Sequence, residues 1–161
     1  MIRINKVATK SIQKIEIFNR KASFEYEVLE RYTAGIVLSG SEIKSIRENG
    51  ASIGEAYCYF RSGELFVRGM NIPIYDKAVF TNHDPLSVRK LLLRKRELEK
   101  METKMKERGM SIIPLKLFSS ERGFLKAEIG LCRGKKSFDK RESIKAKDNK
   151  RELDRVMKKY K

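Results

Sequence analysis

Residues 24–38 read FEYEVLERYTAGIVL. Phe24, Tyr26, Val28 and, after a polar step, Tyr32 alternate with Glu25, Glu27 and Glu30, the period of two that marks a strand with one face on a core and the other in water. Gly35 then precedes the apolar run Ile36, Val37 and Leu38, and a glycine at such a point permits a bulge or tight bend. A bent strand of this kind is what a small barrel requires, and the stretch predicts a mainly β protein.

The neighbouring segments extend that reading. After residue 38, Ser41 offers an N-cap, Glu42 an acid in the first turn, Ile43 and Ile46 an apolar side, and Gly50 a stop, which together predict a short helix. Residues 57–61 and 64–70, joined across Ser62 and Gly63, give a hairpin with Tyr57, Tyr59, Leu65 and Val67 suited to a pleated surface. Residues 72–75 add a short strand weakened by Pro73. Asp84 and Pro85 suit the start of the longest helix, whose stripe is Val88, Leu91, Leu92, Leu98, Met101 and Met105, with Gly109 ending it. Arg89 and Lys90 would then sit in its first turn, where the helix dipole disfavours cations; a solvated face is the plain alternative, and that placement mildly supports a ligand role. Residues 112–118 and 124–131 form a last hairpin. Five or six short strands with two inserted helices predict a closed barrel of the oligonucleotide-binding type with added helices.

Charge divides the chain differently. Of the 161 residues, 37 are lysine or arginine and 21 are acidic, and the excess of +16 is concentrated at the two ends. Residues 134–161 hold 12 basic groups against 5 acidic ones and few large apolar residues. That is too little to repay the entropy of a free-standing fold. Leu153, Val156, Met157 and Tyr160 fall at i, i+3, i+4 and i+7, so this tail is expected to be disordered when free and helical when bound. The expected organisation is a flexible N-terminal arm over 1–18, a barrel over 19–133 and the basic tail over 134–161. Basic extensions on a nearly neutral body favour a nucleic-acid partner.

Other classes find less support. Cys58 and Cys132 are isolated and His83 is the only histidine, so no zinc site of usual spacing can be assembled, and no metal or cofactor is expected. Residues 130–137, GLCRGKKS, lack the spacing of a phosphate-binding loop. No nucleophile and base pair is evident, and the chain is not expected to be an enzyme. Scattered carboxylates leave a metal-dependent nuclease open, to be separated by a divalent-metal RNA cleavage assay. No apolar run is long enough to span a bilayer, and a cytoplasmic monomer without membrane contact is expected.

Several segments carry a family resemblance: Asn19-Arg20-Lys21-Ala22, the run from Ala34 to Arg47 (AGIVLSGSEIKSIR), Asp84-Pro85, Arg89-Lys90-Leu91-Leu92-Leu93, Ile113-Pro114-Leu115-Lys116-Leu117, Gly134-Lys135-Lys136 and Asp139-Lys140-Arg141-Glu142. In this order and spacing they resemble the small protein B family, the SsrA-binding proteins of bacteria. The resemblance runs from about Asn19 to the end of the chain. It implies an oligonucleotide-binding barrel that binds the transfer-RNA-like end of transfer-messenger RNA and brings it to stalled ribosomes for trans-translation. The ribosome's small-subunit RNA and elongation factor Tu carrying the charged RNA are its implied partners.

By the same resemblance, Asn19, Arg20, Lys21, Glu42, Lys44, Arg89, Lys90 and Leu92 are candidates for the RNA surface. Gly134, Lys135, Lys136, Asp139, Lys140, Arg141, Ile144, Val156 and Met157 are candidates for a tail that occupies the decoding centre and the empty messenger channel. Leu92 could equally serve a core, and Glu42 could simply complement its own helix N-terminus. Thr33 stands where many family members carry an acidic residue, so no acidic contact is carried over there. The competing reading is a basic structural protein of the ribosome bound to ribosomal RNA, which stable retention on all ribosomes would favour.

Overall fold

A computed structural model describes residues 14–78 and 82–136, together with Leu153 and Met157. In chain order the elements are β1 (Glu16–Phe18), α1 (Ala22–Glu25), β2 (Tyr26–Ile36), α2 (Gly40–Asn49), β3 (Tyr57–Arg61), β4 (Glu64–Arg68), β5 (Arg89–Leu92), α3 (Lys95–Met105), β6 (Met110–Ser119) and β7 (Leu125–Gly134). They form a seven-stranded antiparallel sheet in the order β1-β6-β3-β4-β5-β2-β7. Because β7 also pairs with β6, six of the strands are joined in a ring, with β1 added at the edge of β6.

The expected strand over residues 24–38 is present with a different irregularity. β2 runs through Gly35 without a break, and its register with β7 slips between Val28 and Glu30, which leaves Leu29 as the extra residue of a bulge. A second slip, between Pro114 and Lys116, bends β6 against β7. Proline has no N–H to give to a ladder, so an irregularity beside Pro114 costs little pairing. Two bulges increase the local twist and allow the sheet to curl. Phe24, expected at the start of the strand, lies instead in the single turn of α1.

Inward alternation builds the core: Ala34, Cys58, Leu65, Val67, Leu91, Ile112, Leu117, Ala127, Ile129 and Leu131 are buried, joined by Ile46 of α2 and Met101 of α3. A buried side chain of this size contributes about 1.5–3 kcal/mol relative to leaving it in water. α2 begins two residues earlier than expected. Ser39, rather than Ser41, is its cap: Glu42 N–H donates to Ser39 Oγ (3.3 Å) and Ser39 N–H donates to Glu42 Oε2 (2.7 Å). The expected stop holds, with Gly50 at φ 77° donating its N–H to Ile46 O.

The long helix from Asp84 does not form. Asp84 and Pro85 make a turn, with Leu86 N–H on Asp84 Oδ1 (3.0 Å), and Arg89–Leu92 is a strand in which Arg89 and Leu91 point inward. Helix begins only at Lys95. Arg89 and Lys90 therefore lie in a strand and not in the first turn of a helix of their own, so no such misplacement points to a ligand role. Residues 72–75 form no strand; the local pairing is an isolated bridge between Ser52 and Asn71. The expected arm over 1–18 also changes at its end, since Ile15 is buried and Glu16–Phe18 pairs with β6 at Phe118, Leu117 and Lys116.

α3 packs Met101 into the core and is further tied to the ring by one acid. The Glu30 carboxylate of β2 meets Lys100 Nζ at 3.0 Å, and also meets Lys104 Nζ and the Tyr32 hydroxyl. The Lys104 contact, the Tyr32 hydroxyl and Lys100 outweigh desolvation and hold the Glu30 pKa at about 2. Burial, then hydrogen bonding to Glu30, pushes Tyr32 up to about 12.

Candidate nucleic-acid interface

Asn19 is a buried joint. Its Nδ2 donates to Ile53 O (3.0 Å) and Pro114 O (2.9 Å), while its Oδ1 accepts from Lys21 N–H (3.2 Å) and Ala22 N–H (3.0 Å). One side chain thus ties β6, the 50–56 loop and the first turn of α1 together. Arg20 and Lys21 stand outside that joint, exposed at its rim. Lys21 Nζ lies 2.7 Å from Glu55 and 3.7 Å from Glu25, and the bond to Glu55, then the nearby charge of Glu25, raises its pKa.

Glu42 and Arg89 meet inside the fold. Arg89 Nε donates to Glu42 Oε1 at 2.8 Å, Nη1 donates to Met70 O, and Nη2 donates to Pro85 O (3.0 Å) and Asp84 O (3.3 Å). Desolvation pushes the Glu42 pKa up, but the Ser39 N–H and the Arg89 guanidinium outweigh it and the net shift is downward. α2, the chain just after β4 and the 70–85 loop converge on these two side chains, and their polar atoms are engaged within the fold. Lys44, on the outer side of α2, lies with Nζ 5.8 Å from the Tyr75 ring centre.

The remaining candidates reach a surface. Gly35 of β2 is registered against Leu92 of β5 on one side and Lys126 of β7 on the other. With no side chain between those two, the outer face has a notch. A Cβ at Gly35 would approach Leu92 Cβ to 3.3 Å. Arg31, Thr33, Gly35, Leu92, Arg94 and Lys126 are among the residues that line this concavity of about 610 Å³. Leu92 is 51% exposed there, so it is not a core residue. Arg31 is paired with Glu128 at 2.8 Å, and Lys90, two residues before Leu92 on β5, with Glu64.

Arg31, Arg94 and Lys126 were absent from the candidates drawn from sequence. Arg31 and Thr33 could have been found, because alternation in β2 puts both on the face of Gly35. Lys126 could not, since its place depends on a register with a strand some ninety residues away.

The tail leaves from β7. Gly134 is the last residue of the strand, Lys135 N–H donates to Glu25 O (2.9 Å), and Lys135 Nζ donates to Ser23 O (3.0 Å). Lys136 follows at the end of the described segment. Leu153 and Met157 are helical and exposed. Asp139, Lys140, Arg141, Ile144 and Val156 lie outside the described residues.

Among the described residues, no group of three or more His, Cys, Asp or Glu could hold a metal ion, and no helix is long and apolar enough to cross a membrane. Cys58 and Cys132 are buried, and burial pushes both thiols above their ordinary range, away from the reactive thiolate.

Comparison with known proteins converges on one group. The family model described as SmpB protein matches residues 16–159. An SsrA-binding protein of Cytophaga hutchinsonii is 60% identical over 151 residues, covering 93% of this chain and 99% of that one. Another, of Christiangramia forsetii, is 53% identical over 91% of this chain and 94% of its own. A solved chain described under "tmRNA-SmpB: a journey to the center of the bacterial ribosome" superposes with a TM-score of 0.64 at 41% identity, over 76% of this chain and 85% of that one. With the match spanning nearly all of the ring and its C-terminal extension, the chain belongs to the SmpB family.

Proposed function

We propose that this protein binds the transfer-RNA-like part of transfer-messenger RNA on the face around Gly35 and Leu92 and delivers it to stalled ribosomes. The observation that carries the reading is the notch itself, an exposed leucine beside a missing side chain with Arg31, Arg94 and Lys126 around it. Folded RNA is recognised through shape, 2′-hydroxyls, phosphates and unstacked bases, and an apolar contact framed by cations suits a turn of such an RNA. The names of the relatives, SsrA-binding proteins, support the same ligand.

In this reading the strand ring is an oligonucleotide-binding barrel with added helices, formed by residues 19–133, and it acts as a cytoplasmic monomer that catalyses no reaction. Asn19, Glu42 and Arg89 set the geometry; Arg20, Lys21, Lys44, Lys90 and Leu92 meet RNA. Residues 134–161 enter the decoding centre and the empty messenger channel, and elongation factor Tu accompanies the charged RNA.

The test measures affinity for a transfer-RNA-like transcript and tagging on stalled ribosomes separately. Leu92→Ala is expected to weaken both. Replacing Asp139, Lys140 and Arg141 together with alanine is expected to abolish tagging while the RNA affinity is kept. Parallel loss of both in the triple variant would sink the division between body and tail.

A further inference from the structure

The face that carries Leu92 continues across β5, β4 and β3. The register places Phe66 opposite Lys90 on one side and Tyr59 on the other, so one row across three strands reads Tyr59, Phe66, Lys90. The row beside it holds Tyr57 opposite Arg68, and the row on the other side Arg61 opposite Glu64. Between them Cys58, Leu65, Val67 and Leu91 point inward and are buried, which fixes the aromatic and charged set as outward.

Three rings lie side by side on this outer face. Tyr57 and Tyr59 have centroids 6.3 Å apart at 46°, and Tyr59 and Phe66 are stacked at 6.0 Å and 29°. Tyr57 is 45% exposed, and Tyr59 and Phe66 are half-buried. The core lies on the opposite side of the sheet, so these rings present stacking surface to solvent instead of filling the interior. The charge around them is cationic: Lys90 is paired with Glu64, while Arg61 and Arg68 have no acidic partner among the described residues.

We infer that the outer face of β3 and β4 is a second RNA site, which takes an unpaired segment. Bases stack on Tyr57, Tyr59 and Phe66, and phosphates lie against Arg61 and Arg68. Aromatic faces tolerate any base and arginines hold the backbone, so the site takes single strands with little sequence preference. Lys90 joins it to the Leu92 notch on the same face. An RNA with a structured end and an unpaired flank would then occupy both without turning. The inference rests on the RNA-binding reading of this family and not on which structured RNA the notch takes.

The test uses the full chain and two labelled probes, a 12-nucleotide oligouridylate and the transfer-RNA-like transcript, followed by fluorescence anisotropy. Tyr57→Ala with Arg68→Ala removes two exposed cross-strand neighbours. It is expected to weaken the oligouridylate about tenfold, the size of one lost base–aromatic stack, and the transcript less than about twofold. Unchanged oligouridylate affinity overturns the site, as does an equal loss on both probes, which would reflect general charge. Leu92→Ala gives the converse arm: loss on the transcript alone supports two sites, and equal loss on both probes argues for one. If Leu92→Ala leaves the transcript unaffected while the double variant loses oligouridylate, the notch reading falls and the aromatic site stands. In the unmodified protein, a 5-bromouridine oligomer is expected to cross-link to Tyr57, Tyr59 or Phe66. Cross-links confined to residues 137–161 would refute the site.

Discussion

Glu42 and Arg89 are 47 residues apart in sequence and 2.8 Å apart in the fold, with both side chains almost fully buried. Their pairing closes α2 against the start of β5, and the remaining guanidinium N–H groups hold Met70, Asp84 and Pro85 by their carbonyls. Arg89→Met is expected to cost about 3–5 kcal/mol, because it strands a buried carboxylate. Adding Glu42→Gln should recover part of the loss. Urea unfolding of the single and double variants checks this. Equal stabilities for Arg89→Met and wild type would contradict the geometry.

Asn19 acts through its amide. Asn19→Asp keeps the oxygen that accepts from Lys21 and Ala22 but loses the donors to Ile53 O and Pro114 O. Ile53 O keeps the Ala56 N–H (3.2 Å) but loses its second donor, and Pro114 O loses the Asn19 amide, which together should cost about 1–3 kcal/mol. Hydrogen exchange should rise first in α1 and at the start of β2. RNA affinity should fall less than for Leu92→Ala, since the amide is buried and engaged by four protein hydrogen bonds.

The Glu30 clamp gives a defined pH window. Its folded pKa is about 2, below the ordinary 4.5, so its contribution is complete above about pH 4.5 and is lost as pH falls toward 2. Tyr32 has the opposite sense: raised from 10 to about 12, it contributes fully below pH 10 and loses that contribution as pH rises through 12. Exchange protection of α3 should therefore be flat between these limits. Glu30→Gln should remove the acid limb of the profile while leaving most of the alkaline limb in place. An unchanged acid limb in that variant would show that other carboxylates hold α3.

Gly35→Ala tests the notch without changing charge. The backbone there is ordinary strand, and the new Cβ meets Leu92 at 3.3 Å, a contact that Leu92 can relieve by a small shift. Stability should change by less than about 1 kcal/mol, and affinity for the transfer-RNA-like transcript should fall about tenfold. Full retention of affinity would place the RNA elsewhere.

Truncation after Lys136 removes residues 137–161 of the tail while keeping the bonds of Lys135 to Glu25 and Ser23. The shortened chain is expected to unfold cooperatively at the same urea concentration and to retain RNA binding, while tagging on ribosomes is lost. Loss of cooperative unfolding would mean that residues beyond 136 belong to the folded body.

What could be read from sequence was local. Alternation in β2, the two hairpins and the stop at Gly50 follow from neighbouring residues. The failures involve distance. Val88, Leu91, Leu92, Leu98, Met101 and Met105 fit a helix by spacing, yet Leu91 pairs with Leu65 and Ile36, and those partners decide that it lies in a strand. Ser41 looked like a cap because a serine before an acid is common there; Ser39 wins because Glu42 reaches back to its N–H. For the site, the family motif named Asn19, Arg20, Lys21, Glu42, Lys44, Arg89, Lys90 and Leu92. The burial of Asn19, Glu42 and Arg89 depends on Pro114, Ile53 and Met70, which no short motif contains.

β7 is hydrogen-bonded along both edges, to β2 from Gly134 opposite Tyr26 through Lys126 opposite Gly35, and to β6 from Arg133 opposite Met110 through Leu125 opposite Ser119. The tail is attached at one end of that strand. Tension drawn through the tail along the strand axis therefore loads two ladders in shear at once, and many hydrogen bonds must yield together before the first is lost. The attachment is a mechanical anchor: a ribosome gripping the far end of the tail could pull on the body without peeling it open.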